Sequence, residues 1–275
     1  MTSRLYGSII PMNFMIWSKI LPDFFENLFD EKIGGLLTEN PPWEVLKKLK
    51  EILFELVFEL PKLIPLERPL PKSLFLTTDG ELIPLKEIKR IEGKYYFKDE
   101  EVKGAILMAG AILKGKKIFF EEGVIVEPYA YLEEPCYFSA GTQIRHCAYV
   151  RGSVYTGKGA VIGHTTEVKN SIFLSQAKAA HFAYVGDSIL GREVNLGAGT
   201  KLANLKFMKK EITLQIEGEI IKTGLKKMGA VLGDRVQTGC NSILQPGTLI
   251  AKNSFVYPGV SAPSGYFPKG SKIKV

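Results

Sequence analysis

From residue 104 onward an aliphatic or small side chain recurs at every sixth position. The series runs Ile106, Ile112, Ile118, Val124, Ala130, Cys136, Thr142, Ala148, Val154, Ala160, Thr166 and Ile172, then resumes at Leu190, Leu196 and Leu202. Of its 17 positions nine are Ile, Leu or Val and six are Ala, Cys or Thr. Lys178 and Tyr184 break it, and they flank His181. The break also fits a one-residue slip that puts Val185-Gly186 inward. Six residues of helix rotate the side-chain direction by roughly 240°, so no single helical face produces this rhythm. Six is a multiple of the strand period, and short strands separated by tight turns keep every such side chain inward. The rhythm returns at Leu232, Thr238, Leu244, Ile250 and Val256. Stacked coils are needed to bury such an axis, because one repeat cannot cover its own apolar face.

Residues 1–100 follow other rhythms. Leu46, Leu49, Leu53, Leu56, Val57 and Leu60 recur at helical spacing after Pro42, which predicts a helix over about 43–60, stopped by Pro61. Asp79-Gly80 marks a turn between two apolar stretches, and IEGKYYFKDEEV adds a further short strand pair. A stack of coils has an open end that invites edge pairing, and this mixed α/β region is predicted to cover it. The expected organisation is a cap over 1–100, coils over 101–262 interrupted by an insertion at about 205–228, and a tail over 263–275.

Composition narrows the chemistry. The net charge of +7 favours anionic ligands. The lysines and arginines are dispersed, without the basic stripe or arm that nucleic-acid binding calls for. Cys136, Cys147 and Cys240 form no CxxC pair, which fits a reducing cytoplasm and supplies no metal-ligand cluster. The apolar run Ile9 to Trp17 is too short to span a bilayer, which takes about 20 residues. The expected setting is therefore cytoplasmic, with no membrane span.

Hexapeptide repeats of this kind resemble the left-handed parallel β-helix of acyltransferases. The fold class expected is all-β with an α+β cap. The stretch RGSVYTGKGAVIGHTTEVKNSIFLSQAKAAHFAYVGDSILGREVNLGAGTKLAN narrows the resemblance. It is similar to the acetyltransferase half of the bifunctional glucosamine-1-phosphate N-acetyltransferase / N-acetylglucosamine-1-phosphate uridylyltransferases, and to archaeal sugar-phosphate nucleotidylyltransferases that share that half. No glycine-rich nucleotide loop precedes it, so uridylyl transfer is not expected.

What the resemblance implies is specific. His181 stands where the family has the general base on the acceptor amine. Arg151 and Lys169 match its phosphate ligands, while Tyr184, Asn195 and Asn204 match positions around the sugar. Ala198, Gly239 and Cys240 lie where coenzyme A packs, Cys240 standing in for a hydroxyl residue and read as a buried thiol. The segment after Asn204 resembles an archaeal insertion that contributes lysines, Lys210 being the matching one, with Thr213 in place of another. It reads as a hairpin about Glu217-Gly218. The family is trimeric, with sites at the clefts between copies. The implied reaction is acetyl-CoA-dependent N-acetylation of an amino-sugar phosphate such as glucosamine 1-phosphate, in UDP-N-acetylglucosamine synthesis, with no metal. A non-catalytic trimeric scaffold that binds sugar nucleotides, and acyl transfer to a nucleotide-linked amino sugar, stand as alternatives. Plainer readings also stand: His181 as a turn residue, Arg151 and Lys169 as solvated charges, and Asn195 as a corner residue. His146 and His164 have no counterpart and read as surface residues.

Overall fold

A computed structural model of the protein describes residues 12–274, so the part of the Ile9–Trp17 run before residue 12 lies outside the described residues. The chain winds as a parallel β-helix whose coils add one strand in turn to each of three sheets. We call these the tyrosine face (Tyr131–Glu133, Tyr149–Val150, Glu167–Lys169, Tyr184–Gly186 and their neighbours), the covered face (Cys136–Phe138, Val154–Thr156, Ser171–Phe173 and neighbours) and the small-residue face (Gln143–Ile144, Val161–His164, Lys178–His181 and neighbours). Inward side chains from all three, among them Val150, Phe138 and Ile144, meet in one core. Nine parallel strands on the small-residue face make a column about 38 Å long at ~4.8 Å per step.

Each strand sends two side chains inward, two residues apart: Cys136 and Phe138 lie in the axial core while Tyr137 faces out. Where the period holds, a coil is 18 residues long, as between Cys136 and its neighbour Val154. Three coils are 17 long, Val154 pairing with Ser171, Ile172 with Ile189 and Leu249 with Tyr266. The missing residues fall at one corner, at Lys169–Ser171, at Gly186–Ser188 and again at Ala262–Gly265. Losing one residue flips the pleat. The six-residue series therefore leaves the core at Ile172, Lys178 and Tyr184, and regains it at Leu190 on the second inward position. Val185 is fully buried in the axis, as the one-residue slip requires.

The helices take a different place from the one expected. Helix α1 (Met12–Phe24), α2 (Gly34–Glu39) and α3 (Pro42–Leu56, shorter than the predicted 43–60) lie along a flank of the column. Trp17, Trp43, Leu46, Leu49 and Leu53 pack on the outer side chains Tyr137, Tyr155, Ile172, Ile189 and Leu249 of the covered face. The apolar outer residues of that sheet explain the choice, since an end of the column offers a much smaller apolar area. Two buried carboxylates fasten the layer: Glu31 Oε1 accepts the Ser175 amide at 2.7 Å, and Asp234 accepts the amides of Glu26 and Arg192 at 2.7 and 2.8 Å. The open end is covered by Leu60, Ile64 and Leu70 and by a hairpin (Leu74–Thr77, Leu82–Pro84) that pairs antiparallel with Gly104–Leu107. A three-stranded meander, Lys89–Ile91, Lys94–Phe97 and Glu100–Val102, follows that hairpin.

The insertion leaves the column after Lys201–Leu202 and returns at Ala230–Leu232. Its strands Thr213–Ile216 and Glu219–Lys222 turn at Glu217-Gly218, and Ile212, Leu214 and Ile216 join the flank cluster. The residues expected as a tail instead continue the coils, through Gly265–Phe267 and Lys272–Ile273. The helices and this hairpin cover one face, and the other two stay open around the corner that carries His181.

Candidate functional site

The outer side of the tyrosine face carries two columns. One stacks Tyr131, Tyr149, Glu167, Tyr184 and Lys201 in register; the other stacks Glu133, Arg151, Lys169 and Gly186. Arg151, Lys169 and Tyr184 thus share one surface because positions two apart on a strand point the same way. Arg151 Nη1 meets Glu167 Oε1 at 2.8 Å, and its guanidinium lies over the Tyr149 ring. The Glu167 bond holds the guanidinium firmly in its charged form.

At the shortened corner the polar groups close on themselves. Asp187, left-handed at φ 47° and almost wholly buried, accepts from Lys169 Nζ at 3.2 Å, from Asn170 Nδ2 at 2.9 Å and from Asn204 Nδ2. Asn170 also donates to the Leu46 carbonyl of α3 at 3.2 Å. The Tyr184 hydroxyl lies beside Asn204: a Cβ on Gly186 would come within 2.7 Å of both, so a side chain there would push them aside. Burial, and then the charges of Asp187 and Glu167, push the Tyr184 hydroxyl above the usual tyrosine range, so it keeps its proton and remains a donor.

His181 stands at the opposite edge of the same face, on the corner where the small-residue face turns into the tyrosine face. Asp187 lies past the strand Tyr184–Gly186 at the other edge of the face, and Lys169 Nζ stays at that edge. His181 pairs in register with His164, and the His164 ring stacks on His146 at 5.4 Å with 6° between planes. Nδ1 of His146 lies 3.1 Å from the Pro128 carbonyl, and Nδ1 of His164 lies 3.1 Å from the His146 carbonyl. A carbonyl only accepts, so Nδ1 is the donor in both rings, and Nε2 of His146 faces the Cys147 thiol at 3.4 Å. The three histidines therefore form one ladder, a relation that reading His146 and His164 as unrelated surface residues misses. Their 18- and 17-residue spacing is the signal that reveals it.

The remaining candidates lie elsewhere on the chain. Asn195 pairs with Lys178 on the small-residue face, around the corner from Tyr184. Ala198 sits one coil above His181, where the Gly199 amide donates to the His181 carbonyl at 3.0 Å, and the Asn241 amide closes on Ala198 from the coil above. Gly239 and Cys240 continue that corner. Cys240 is exposed, contrary to the buried thiol expected: the corner residue points away from the axis whatever its polarity. A groove beside it runs over Gly239, Phe255, Tyr257 and Pro258 and ends at Lys272, an apolar floor with a cation at one edge. Lys210 is exposed on the insertion, lining a second groove with Ala203, Phe207 and Ile243, away from Arg151 and Lys169. Thr213 opens the insertion's first strand. Glu167 and Asp187, which organise the cations, were not singled out from sequence. Only the knowledge of which coils neighbour each other identifies them.

No helix among the described residues is long and apolar enough to cross a membrane. Residues 132–256 match the family described as the GMPPB C-terminal domain. A bifunctional sugar-1-phosphate nucleotidylyltransferase/acetyltransferase of Sulfurisphaera tokodaii is 42% identical over 92 residues, 33% of this chain and 23% of that protein. A bifunctional protein GlmU of Methanococcus vannielii is 42% identical over 83 residues, 30% of this chain and 20% of the relative. One from Synechococcus sp. is 35% identical over 92 residues, 34% of this chain and 12% of the relative. The matched stretch thus spans less than a quarter of the length of these relatives. Fold, repeat and similarity converge on a hexapeptide-repeat β-helix that resembles the C-terminal region of the bifunctional GlmU-type proteins.

Proposed function

We propose that the protein is an acyltransferase that N-acetylates an amino-sugar phosphate, glucosamine 1-phosphate being the first candidate, with acetyl-CoA as the second substrate. The observation that carries this reading is the tyrosine face. Two cations, a protonated tyrosine and an amide line one edge, and an exposed imidazole stands at the other. A phosphate held by Arg151, Lys169 and Tyr184 directs the rest of a sugar along the face toward His181. His181 takes a proton from the ammonium, and the free amine attacks the thioester carbonyl. The C–N bond forms, the C–S bond breaks, and the coenzyme A thiolate leaves and takes up a proton. The protein's main contribution is to hold amine and carbonyl together.

Asn195, Lys210 and the Gly239–Cys240 corner lie off this face on the same chain. A homotrimer with its clefts at the histidine corner would supply them from a neighbouring copy, as the clefts of a threefold assembly are shared between chains. The apolar groove ending at Lys272 has the character a pantetheine arm and an anionic nucleotide need. A thiol-release assay over a panel of amino-sugar phosphates tests the reading. Release that disappears in His181→Ala while the assembly persists supports it. Sugar-nucleotide binding without thiol release favours the scaffold instead, a reading to which the internally neutralised Arg151–Glu167 and Lys169–Asp187 pairs lend weight.

A further inference from the structure

We propose that Asp187 is a positioning residue of the sugar-phosphate site, one that fixes the Asn204 amide and the Lys169 ammonium in the orientation that receives the anion. The inference rests on the functional reading above and deepens it. Asp187 touches neither substrate edge directly; it lies buried beneath it, at 6% exposure, with its two oxygens shared among three side-chain donors. Asn204 is consequently oriented with Nδ2 toward the carboxylate, since a carboxylate only accepts. The Tyr184 hydroxyl lies beside the same amide. Carboxylate, amide and phenol thus gather at one edge of the face, with Lys169 beside them.

The backbone reinforces the arrangement. The Asp187 amide donates to the Lys169 carbonyl at 3.0 Å, and its carbonyl accepts from Gly229 at 2.8 Å, where the insertion returns. The Met228 amide donates to the Asn204 carbonyl at 3.0 Å. Asp187 thereby sits at the one point where α3, through Asn170, both ends of the insertion and the phosphate edge meet. An 18-residue coil would put an extra residue into this corner and carry Asp187 away from Asn204. The residues missing at Lys169–Ser171 and Gly186–Ser188 are what bring them together.

The test is calorimetric binding of glucosamine 1-phosphate and, separately, of coenzyme A to the full chain. In Asp187→Asn one amide hydrogen faces a donor, so sugar-phosphate affinity falls about tenfold or more while coenzyme A affinity stays within about twofold. Lys169→Met weakens sugar-phosphate binding in the wild type, and costs much less on the Asp187→Asn background. A purely structural role would instead weaken both ligands together and leave the two substitutions additive. Either result overturns the proposal, as does unchanged sugar-phosphate affinity in Asp187→Asn. If that variant does not fold, Asn204→Ala, which leaves the corner's backbone bonds in place, carries the same expectation. Wild-type protein that binds the sugar phosphate without thiol release sinks the transferase reading and leaves this test standing. Wild-type protein that binds no sugar phosphate overturns both.

Discussion

The two corners that bound the tyrosine face are built differently. At the histidine corner every coil repeats one pattern, a residue on the ladder followed by a left-handed one: Cys147, Thr165 and Phe182 have φ of 59°, 51° and 51°. Side chains there point to solvent and stack coil on coil. At the opposite corner three coils are a residue short, and at two of these Lys169, Asn170 and Asp187 are drawn into a partly buried network. A strict repeat thus displays an exposed imidazole, whereas a broken repeat builds an anchored polar edge. Repetition alone supplies no means of burying a carboxylate with three donors around it.

Variants that break this comparison should differ in kind. The largest effect is expected from His181→Ala, which removes the base and leaves the other corner intact. Turnover in the thiol-release assay should fall about 10²–10⁴-fold with little change in sugar-phosphate affinity. Loss of affinity with turnover preserved would assign His181 to binding. Next is Arg151→Met. A lost charged hydrogen bond corresponds to ~1.5–3 kcal/mol, so KM for the sugar phosphate should rise about 10–100-fold while kcat changes less. A kcat effect alone would remove Arg151 from the binding edge.

The third corner, at Asp234, gives a control that involves no ligand. Burial pushes its carboxyl up to about 6, against the Glu26 and Arg192 amides and the Arg235 and Arg192 charges that pull it down. A folded pKa above the unfolded value means that the native state binds the extra proton. The stabilisation is complete below about pH 4 and is lost as pH rises through about 6, on the order of 1–3 kcal/mol. Glu26 beside it is held below the usual carboxylate range by Lys252 and Arg235, so it stays ionised across that window and does not mask the effect. Urea unfolding at about pH 5 and pH 7 should show greater stability at the lower pH, and Asp234→Asn should flatten the difference. Stability that rises between those values contradicts the assignment. The smallest effect is expected from His164→Ala. It removes one ladder ring and its Nδ1 bond, worth about 1 kcal/mol of stability, and leaves KM for the sugar phosphate unchanged.

The contrast between corners also explains what the sequence made legible. The six-residue rhythm specifies the column, because burial demands an apolar side chain at each inward position. Val154, Ala160 and Thr166 all lie where the rhythm puts them. His181, Arg151, Lys169, Tyr184 and Asn204 are readable through resemblance, and four of these five fall together at one edge of a face, with His181 at the other. The position of the helical layer is not legible, because an amphipathic helix announces its apolar face without naming the surface that will cover it. Tyr137 and Tyr155, outward residues that receive it, fall between the positions of the rhythm, and Ile172, also outward, falls on one of them and reads as inward. Asp187 and Glu167 escaped for a similar reason. Their partners lie 16 to 18 residues away in the chain, a distance that becomes contact only once each coil's length is known.

The proposed chemistry requires a single sugar phosphate along the tyrosine face, anion at the shortened corner and amine at the histidine corner. A crystal structure of the protein with glucosamine 1-phosphate and coenzyme A tests it most directly. The predicted result is phosphate oxygens on Arg151, Lys169 and Tyr184, with the sugar nitrogen within hydrogen-bond reach of the His181 ring. A sugar phosphate bound on another face, or one lying on this face with its amine turned from His181, would contradict it.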